Sequence, residues 1–160
     1  PWPTVPPTPT KTVFGLRLNS RFGVPASILL NSRWIGAYAR LGFDLLTYKT
    51  VRAVQRLCHP APNWLVADEA SVAAAMRDPD APVIVTRASP GDARRRTFGG
   101  SFGTPSVAPE DWRPDIAAAK RALGPGQALI VSVMGTARPG LSDAAFAAEF
   151  GTLAGIVAAD

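Results

Sequence analysis

Phe43-Asp44-Leu45-Leu46-Thr47-Tyr48-Lys49-Thr50 is the stretch on which the fold class turns, because an apolar run ends there on a lone cation. It follows a helical-looking segment, Arg33 to Leu41, for which Asn31-Ser32 supply N-cap candidates and Gly42 a natural stop. Trp34, Tyr38 and Leu41 share one face of that helix. Before it lies a second short apolar run, Ala26 to Leu30. Strand, short helix and strand in one compact stretch make a βαβ unit, so Ala26 to Leu30 and Phe43 to Lys49 are expected to run parallel with a right-handed crossover. In parallel α/β folds ligands collect beyond the carboxyl ends of the strands, and Lys49 stands at such an end. The same position also suits a plain lysine whose stem covers apolar surface while its ammonium reaches solvent.

Outward from this unit, the N-terminal side opens with five prolines in nine residues, Pro1 to Pro9, which predicts an extended arm over residues 1–11. Thr12 to Leu18 reads as one short strand and Asn19 to Gly23 as a turn. On the C-terminal side, Thr50 to Ala67 carries Pro60 and Pro62 and reads as a long loop, a length that tends to be functional. A helix is expected over Ser71 to Arg77 and a strand over Val83 to Thr86. Phe98 to Ser106 is rich in small residues; it reads either as a plain turn or as a segment whose backbone N–H groups approach a ligand. Pro109-Glu110-Asp111 opens a helix ending near Leu123, its start shifted or kinked by Pro114. Ala128 to Met134 is apolar except for Ser132, the pattern of a buried parallel strand. Ser142 then caps a helix with Phe146, Phe150, Leu153 and Val157 on one face.

With 160 residues, 47% hydrophobic and 18% charged, the chain is globular and of single-domain size. No apolar stretch approaches the roughly 18 to 20 residues of a transmembrane helix, and no basic leader precedes a short apolar segment, so a cytoplasmic location is expected. One cysteine, Cys58, excludes an internal disulfide, and with His59 the one histidine no ordinary zinc set can be assembled. The net charge of +5 favours anions, yet the basic residues are scattered. The dense run Arg94-Arg95-Arg96 reads as a solvated loop, and without a basic stripe or stacking module a nucleic-acid partner is not expected. The chain opens at Pro1 without a methionine and stops at Asp160 where the pattern calls for another strand, so it reads as an interior piece of a longer protein.

Three segments in this order, Asn19 to Leu30 (NSRFGVPASILL), Phe43 to Trp64 (FDLLTYKTVRAVQRLCHPAPNW) and Ser101 to Ser106 (SFGTPS), resemble the dihydroorotate dehydrogenase family of flavin-dependent (β/α)8 barrels. Val131 to Gly135 is similar to the family's fourth barrel strand. The resemblance implies an α/β fold over residues 12–160, the N-terminal half of a TIM barrel with about four βα units, truncated at both ends. It implies FMN as cofactor, with Ala26 and Ser27 touching the flavin, Lys49 touching both flavin and substrate, and Thr50 beside the cofactor. It implies that Ser101, Phe102, Gly103, Thr104 and Pro105 form the substrate loop for a pyrimidine, dihydroorotate being oxidised to orotate in pyrimidine biosynthesis. The complete protein is expected to be a homo-oligomer. The catalytic base, a Cys or Ser, is expected beyond Asp160, which leaves no catalytic residue here and makes Cys58 a packing residue. Two departures stand out: Gly100 replaces the asparagine that usually precedes the loop serine, and an insertion runs from Asp68 to Arg96. Two other readings remain. Lys49 fits a Schiff-base nucleophile of an aldolase-like barrel, and the proline arm with Trp34, Trp64 and Trp112 fits a non-catalytic interaction module whose open sheet edges invite pairing.

Overall fold

The computed structural model describes residues 11–86 and 97–159; the proline-rich stretch over residues 1–10 and the Arg94–Arg96 run lie outside the described residues. In chain order the elements are β1 (Lys11–Val13), β2 (Leu16–Leu18), β3 (Gly23–Val24), α1 (Ser32–Arg40), β4 (Leu45–Val51), β5 (Trp64–Ala67), α2 (Glu69–Ala75), β6 (Val85–Thr86), β7 (Thr97–Gly100), α3 (Pro109–Arg121), β8 (Ala128–Val133) and α4 (Asp143–Ala159). They fall into two compact units, one within Pro1–Arg56 and Ser106–Asp160 and the other within Leu57–Pro105.

The first unit is built on a parallel sheet in the order β3-β4-β8. Strand β4 lies in the middle, and its side chains alternate. Leu46 and Tyr48 are buried and join a core with Ile35 and Ala39 of α1, Trp112, Ile116 and Ala119 of α3, and Leu153 of α4. Leu45, Thr47 and Lys49 point the other way and are half-buried. Ile130 of β8, opposite Thr47, is 42% exposed, so among the described residues the sheet is open, with helices over one face. The strand that resembles a fourth barrel strand therefore occupies the third place: β8 hydrogen-bonds directly to β4, with no strand between them.

Several local expectations give way to specific causes. Thr12 to Leu18 is a hairpin, because Phe14 and Gly15 both adopt positive φ (49° and 79°) and form a two-residue loop that reverses the chain. Ala26 to Leu30 is not a strand. Pro25 has no N–H for the ladder, β3 ends at Val24, and Ala26 to Ile28 form a turn. The segment still runs beside β4, since Lys49 N–H donates to the Leu29 carbonyl at 2.9 Å. In α1 the Asn31 side chain caps the N–H groups of Arg33 and Trp34 as expected, and Gly42 at φ 91° follows its end. The buried stripe, however, is Ile35, Gly36 and Ala39, small enough for α3 to approach, while Trp34 is exposed. Helix α3 starts at Pro109, a first-turn position that proline tolerates, and continues through Pro114 without a displaced start. Trp112 is not available to a partner as expected of an interaction module, because it has no exposed surface; its Nε1–H donates to the Arg52 carbonyl at 3.1 Å. Helix α4 is capped by Ser142 Oγ, which accepts from Ala145 N at 3.2 Å, and it packs Leu153 into the core.

The second unit is an antiparallel sheet in the order β6-β5-β7 with α2, whose N-cap Asp68 accepts from Ser71 N. Strand β5 lies within the segment read as loop. No helix of the described residues is long and apolar enough to cross a membrane.

Candidate functional site

The carboxyl end of β4 is irregular at one place. Tyr48 pairs with Val131 and Val51 with Val133, so Lys49 and Thr50 together oppose the single residue Ser132. This is a β-bulge, a device that re-aims side chains at strand ends. The hydroxyls of Thr50 and Ser132 hold it at 2.8 Å, and the Lys49 N–H bond to Leu29 ties it to the segment after β3. That segment carries Ala26, half-buried, and Ser27, exposed. The four residues expected to contact a cofactor thus lie at the same end of the parallel strands, in a turn and a bulge.

Lys49 is half-buried and its Nζ donates to the Thr50 carbonyl at 3.3 Å. Burial lowers its pKa below the ordinary lysine value, and the positive charge of Arg52 lowers it further. On the opposite side of the strand, Tyr48 OH donates to Asp115 Oδ2 at 2.6 Å. The same carboxylate accepts from Ser32 N at 2.8 Å and Ser32 Oγ at 2.5 Å. Burial alone would raise the Asp115 pKa, but the bonds from Ser32 and Tyr48 outweigh it and hold the carboxyl below its usual range. Burial, then Asp115, pushes the Tyr48 phenol up, so it remains a donor. The residue before Lys49 is thereby fastened to α3 and to the first residue of α1.

Arg52 is the functional-site residue that reading the sequence passes over. It is buried, 5% exposed. Its Nη1 donates to the Gly135 carbonyl and to Thr136 Oγ1 (3.3 Å), and its Nη2 to Met134 Sδ (2.8 Å). Its own N–H donates to Ser106 Oγ at 3.1 Å. Thr136 N in turn donates to Glu149 Oε2 at 2.7 Å, and Glu149 is ion-paired with Arg138. Burial and then Arg56 lower the Arg52 pKa, while Glu149 opposes them. The one signal in the sequence was a second cation three residues after Lys49.

In the second unit, the segment Ser101 to Pro105 is pinned rather than a plain turn. Ser101 N donates to the Asn63 carbonyl at 3.0 Å, and His59 N to the Phe102 carbonyl at 3.1 Å. Gly103 sits at φ 74° against the His59 ring, into which an added Cβ would run, and Thr104 also has positive φ, 48°. Ser101 Oγ and His59 Nδ1 are 3.5 Å apart. Trp64 stacks obliquely between Phe98 (6.2 Å) and Phe102 (6.1 Å). This explains Gly100: a Cβ there would lie 2.7 Å from Trp64 Cε3 and 3.1 Å from the Asn63 carbonyl. Cys58 is exposed rather than packed, and it accepts from Asn63 Nδ2 at 3.3 Å. Among the described residues no group of three His, Cys, Asp or Glu side chains could hold a metal.

No family model matches the chain. Compared with curated proteins, it is 40% identical over 125 residues, 77% of its own length, to "Dihydroorotate dehydrogenase" from Dictyostelium discoideum. Those residues cover 34% of that protein, so the match spans about a third of the curated relative's length. By this likeness, which takes in most of the chain, it belongs to the dihydroorotate dehydrogenase-like family.

Proposed function

We propose that the chain is part of an FMN-dependent oxidoreductase that oxidises a dihydropyrimidine such as dihydroorotate across a CH–CH bond, its parallel sheet being three successive strands of a (β/α)8 barrel. The observation that carries the reading is Lys49, half-buried on a bulge at the carboxyl end of the central parallel strand. Because the match covers about a third of the curated relative, the activity is proposed for the whole protein.

The donor chemistry at that end fits a flavin. Thr50 follows Lys49, the Ala26–Ser27 turn lies in the segment tied to Lys49 N–H through the Leu29 carbonyl, and Leu45 and Thr47 on the Lys49 side of β4 are only half-buried. When bound, FMN supplies the hydride acceptor. The work of this chain's residues is to bind and orient. The Lys49 ammonium stabilises negative charge on the neighbouring ring system or on a substrate carboxylate. Main-chain groups of Ser101, Phe102, Gly103, Thr104 and Pro105 hold the pyrimidine, with Gly103 permitting close approach. Proton removal falls to a residue of the complete protein outside this chain.

The test is the visible flavin spectrum and dihydroorotate turnover of the complete protein, with and without Lys49→Ala. Lys49→Ala is expected to lower turnover about 100-fold or more, the scale of one electrostatic contact, with the melting temperature unchanged. A colourless parent protein without dihydroorotate-dependent reduction, or a variant as active as the parent, overturns the reading. The lowered pKa of Lys49 also suits a Schiff-base nucleophile. Borohydride trapping of a carbonyl substrate on Lys49 would favour that chemistry instead.

A further inference from the structure

We propose that His59 is a positioning residue for the Ser101–Pro105 loop: its main chain closes a turn that the loop cannot close for itself, and its ring holds Gly103 and Thr104 in the shape in which their backbone meets a ligand. The inference rests on the reading of that loop as the substrate-holding segment and deepens it, since the preset shape of the loop then decides which planar ring it accepts. All the residues concerned lie within the second unit.

The starting observation is backbone strain. Gly103 and Thr104 are consecutive residues at positive φ, 74° and 48°. Glycine adopts such a conformation without penalty, but for β-branched Thr104 it is an outlier that persists only where the surroundings impose it. Two successive positive φ values mark a tight mirror-image turn, which is ordinarily closed by a bond from the N–H after the pair to the carbonyl before it. The residue after the pair is Pro105, which has no N–H to give. The Phe102 carbonyl is met instead by His59 N–H at 3.1 Å, from a distant part of the chain.

The rest of His59 adds to that bond. Its carbonyl accepts from Asn63 Nδ2 at 3.1 Å, and the Asn63 carbonyl accepts from Ser101 N at 3.0 Å, so His59 and the loop are joined through Asn63 as well. The imidazole occupies the space beside Gly103 that a Cβ would need, and so backs the residues at positive φ. Ser101 Oγ, 3.5 Å from His59 Nδ1, is at the outer limit of a hydrogen bond, which makes contact with Gly103 the main action of the ring. A loop already held in its binding shape has little left to order when a ligand arrives. Without the ring only a fraction of molecules would carry that shape, and the apparent affinity would fall by the same fraction.

The test uses the complete protein with His59→Ala, read in two ways. Amide hydrogen exchange at residue 59 and at Ser101, corrected for intrinsic rates, follows the bonds to Phe102 and Asn63 without any ligand, and exchange about 10-fold faster is expected in the variant. Orotate titrated against the visible flavin spectrum is expected to bind about 10-fold more weakly. KM for dihydroorotate should rise while kcat stays within about twofold of the parent, a split that a merely structural contact would not give. Unchanged exchange overturns the proposal, and so does faster exchange with orotate affinity unmoved. His59→Asn keeps an amide near Ser101 Oγ but is too short to reach Gly103, so it should match His59→Ala; parent-like behaviour would assign the effect to the Ser101 bond and overturn the proposal. If His59→Ala does not fold, His59→Asn decides alone by the same readings. A parent protein that fails to bind orotate overturns the oxidoreductase reading, whereas unchanged exchange, which needs no ligand, overturns the role of His59, so the two failures are distinguishable.

Discussion

Replacing Tyr48 by phenylalanine removes one oxygen atom and leaves the buried ring in place, which isolates the bond that fastens the strand under Lys49. In the parent, Tyr48 OH meets Asp115 Oδ2 at 2.6 Å, a short bond to a carboxylate. Such a bond contributes about 1.5 to 3 kcal/mol when fully buried. Asp115 keeps Ser32 N and Ser32 Oγ as donors and is only half-buried, so water can refill part of the lost place. The expected loss is therefore about 1 to 2 kcal/mol at neutral pH, or about 3 to 6 °C in melting temperature for a chain of this size. The deficit should depend on pH. The Asp115 pKa is depressed in the folded state, so its stabilisation is present above the unfolded carboxylate value near ~3.9 and is lost as the pH falls through the folded value. Losing Tyr48 OH weakens that depression, and the gap between parent and variant should narrow on acidification. Urea unfolding at about pH 7 and about pH 2.5 measures both. A deficit below roughly 0.3 kcal/mol at neutral pH, or one equally large in acid, refutes the assignment of this bond as a charge-assisted anchor.

The remaining predictions concern the glycines of the second unit. Restoring the family's asparagine by Gly100→Asn is expected to weaken both stability and pyrimidine binding, because its Cβ enters the space of Trp64 Cε3; the cost is about 1 to 3 kcal/mol, and a Trp64→Ala background should relieve most of it in a double-mutant cycle. Equal cost in both backgrounds would remove Trp64 as the cause. Gly103→Ala combines positive φ with a collision against His59 and should destabilise by about 1 to 3 kcal/mol, with thermal unfolding as the measure. His59→Ala should recover the steric part of that loss and leave the backbone part, whereas full recovery would show that φ carries no strain there.

The features legible in the residues alone are those whose causes lie within a few positions of one another. Asn31 caps α1 and Gly42 follows it, Ser142 caps α4 with Leu153 on its inner stripe, and β4 and β8 stand where their apolar runs lie. Caps, periodicity and apolar runs are local quantities, and the carboxyl-end place of Lys49 follows from them. The likeness to a flavoenzyme family likewise needed only the order of three short segments.

Partners far apart in the chain set the rest. Strand β5 is four residues long and preceded by prolines; it becomes a strand because β7, some thirty residues on, pairs with it. Arg52 looks like any surface arginine until Gly135, 83 residues away, accepts its bond, and Asp115 like any helix carboxylate until Tyr48, 67 residues away, reaches it. Trp112 resembles a docking tryptophan until α3 turns it into the core, and Gly100 resembles a lost asparagine until Trp64 occupies the space a side chain needs. Burial and hydrogen bonding depend on which surfaces meet, and residue order constrains that only through the folded chain.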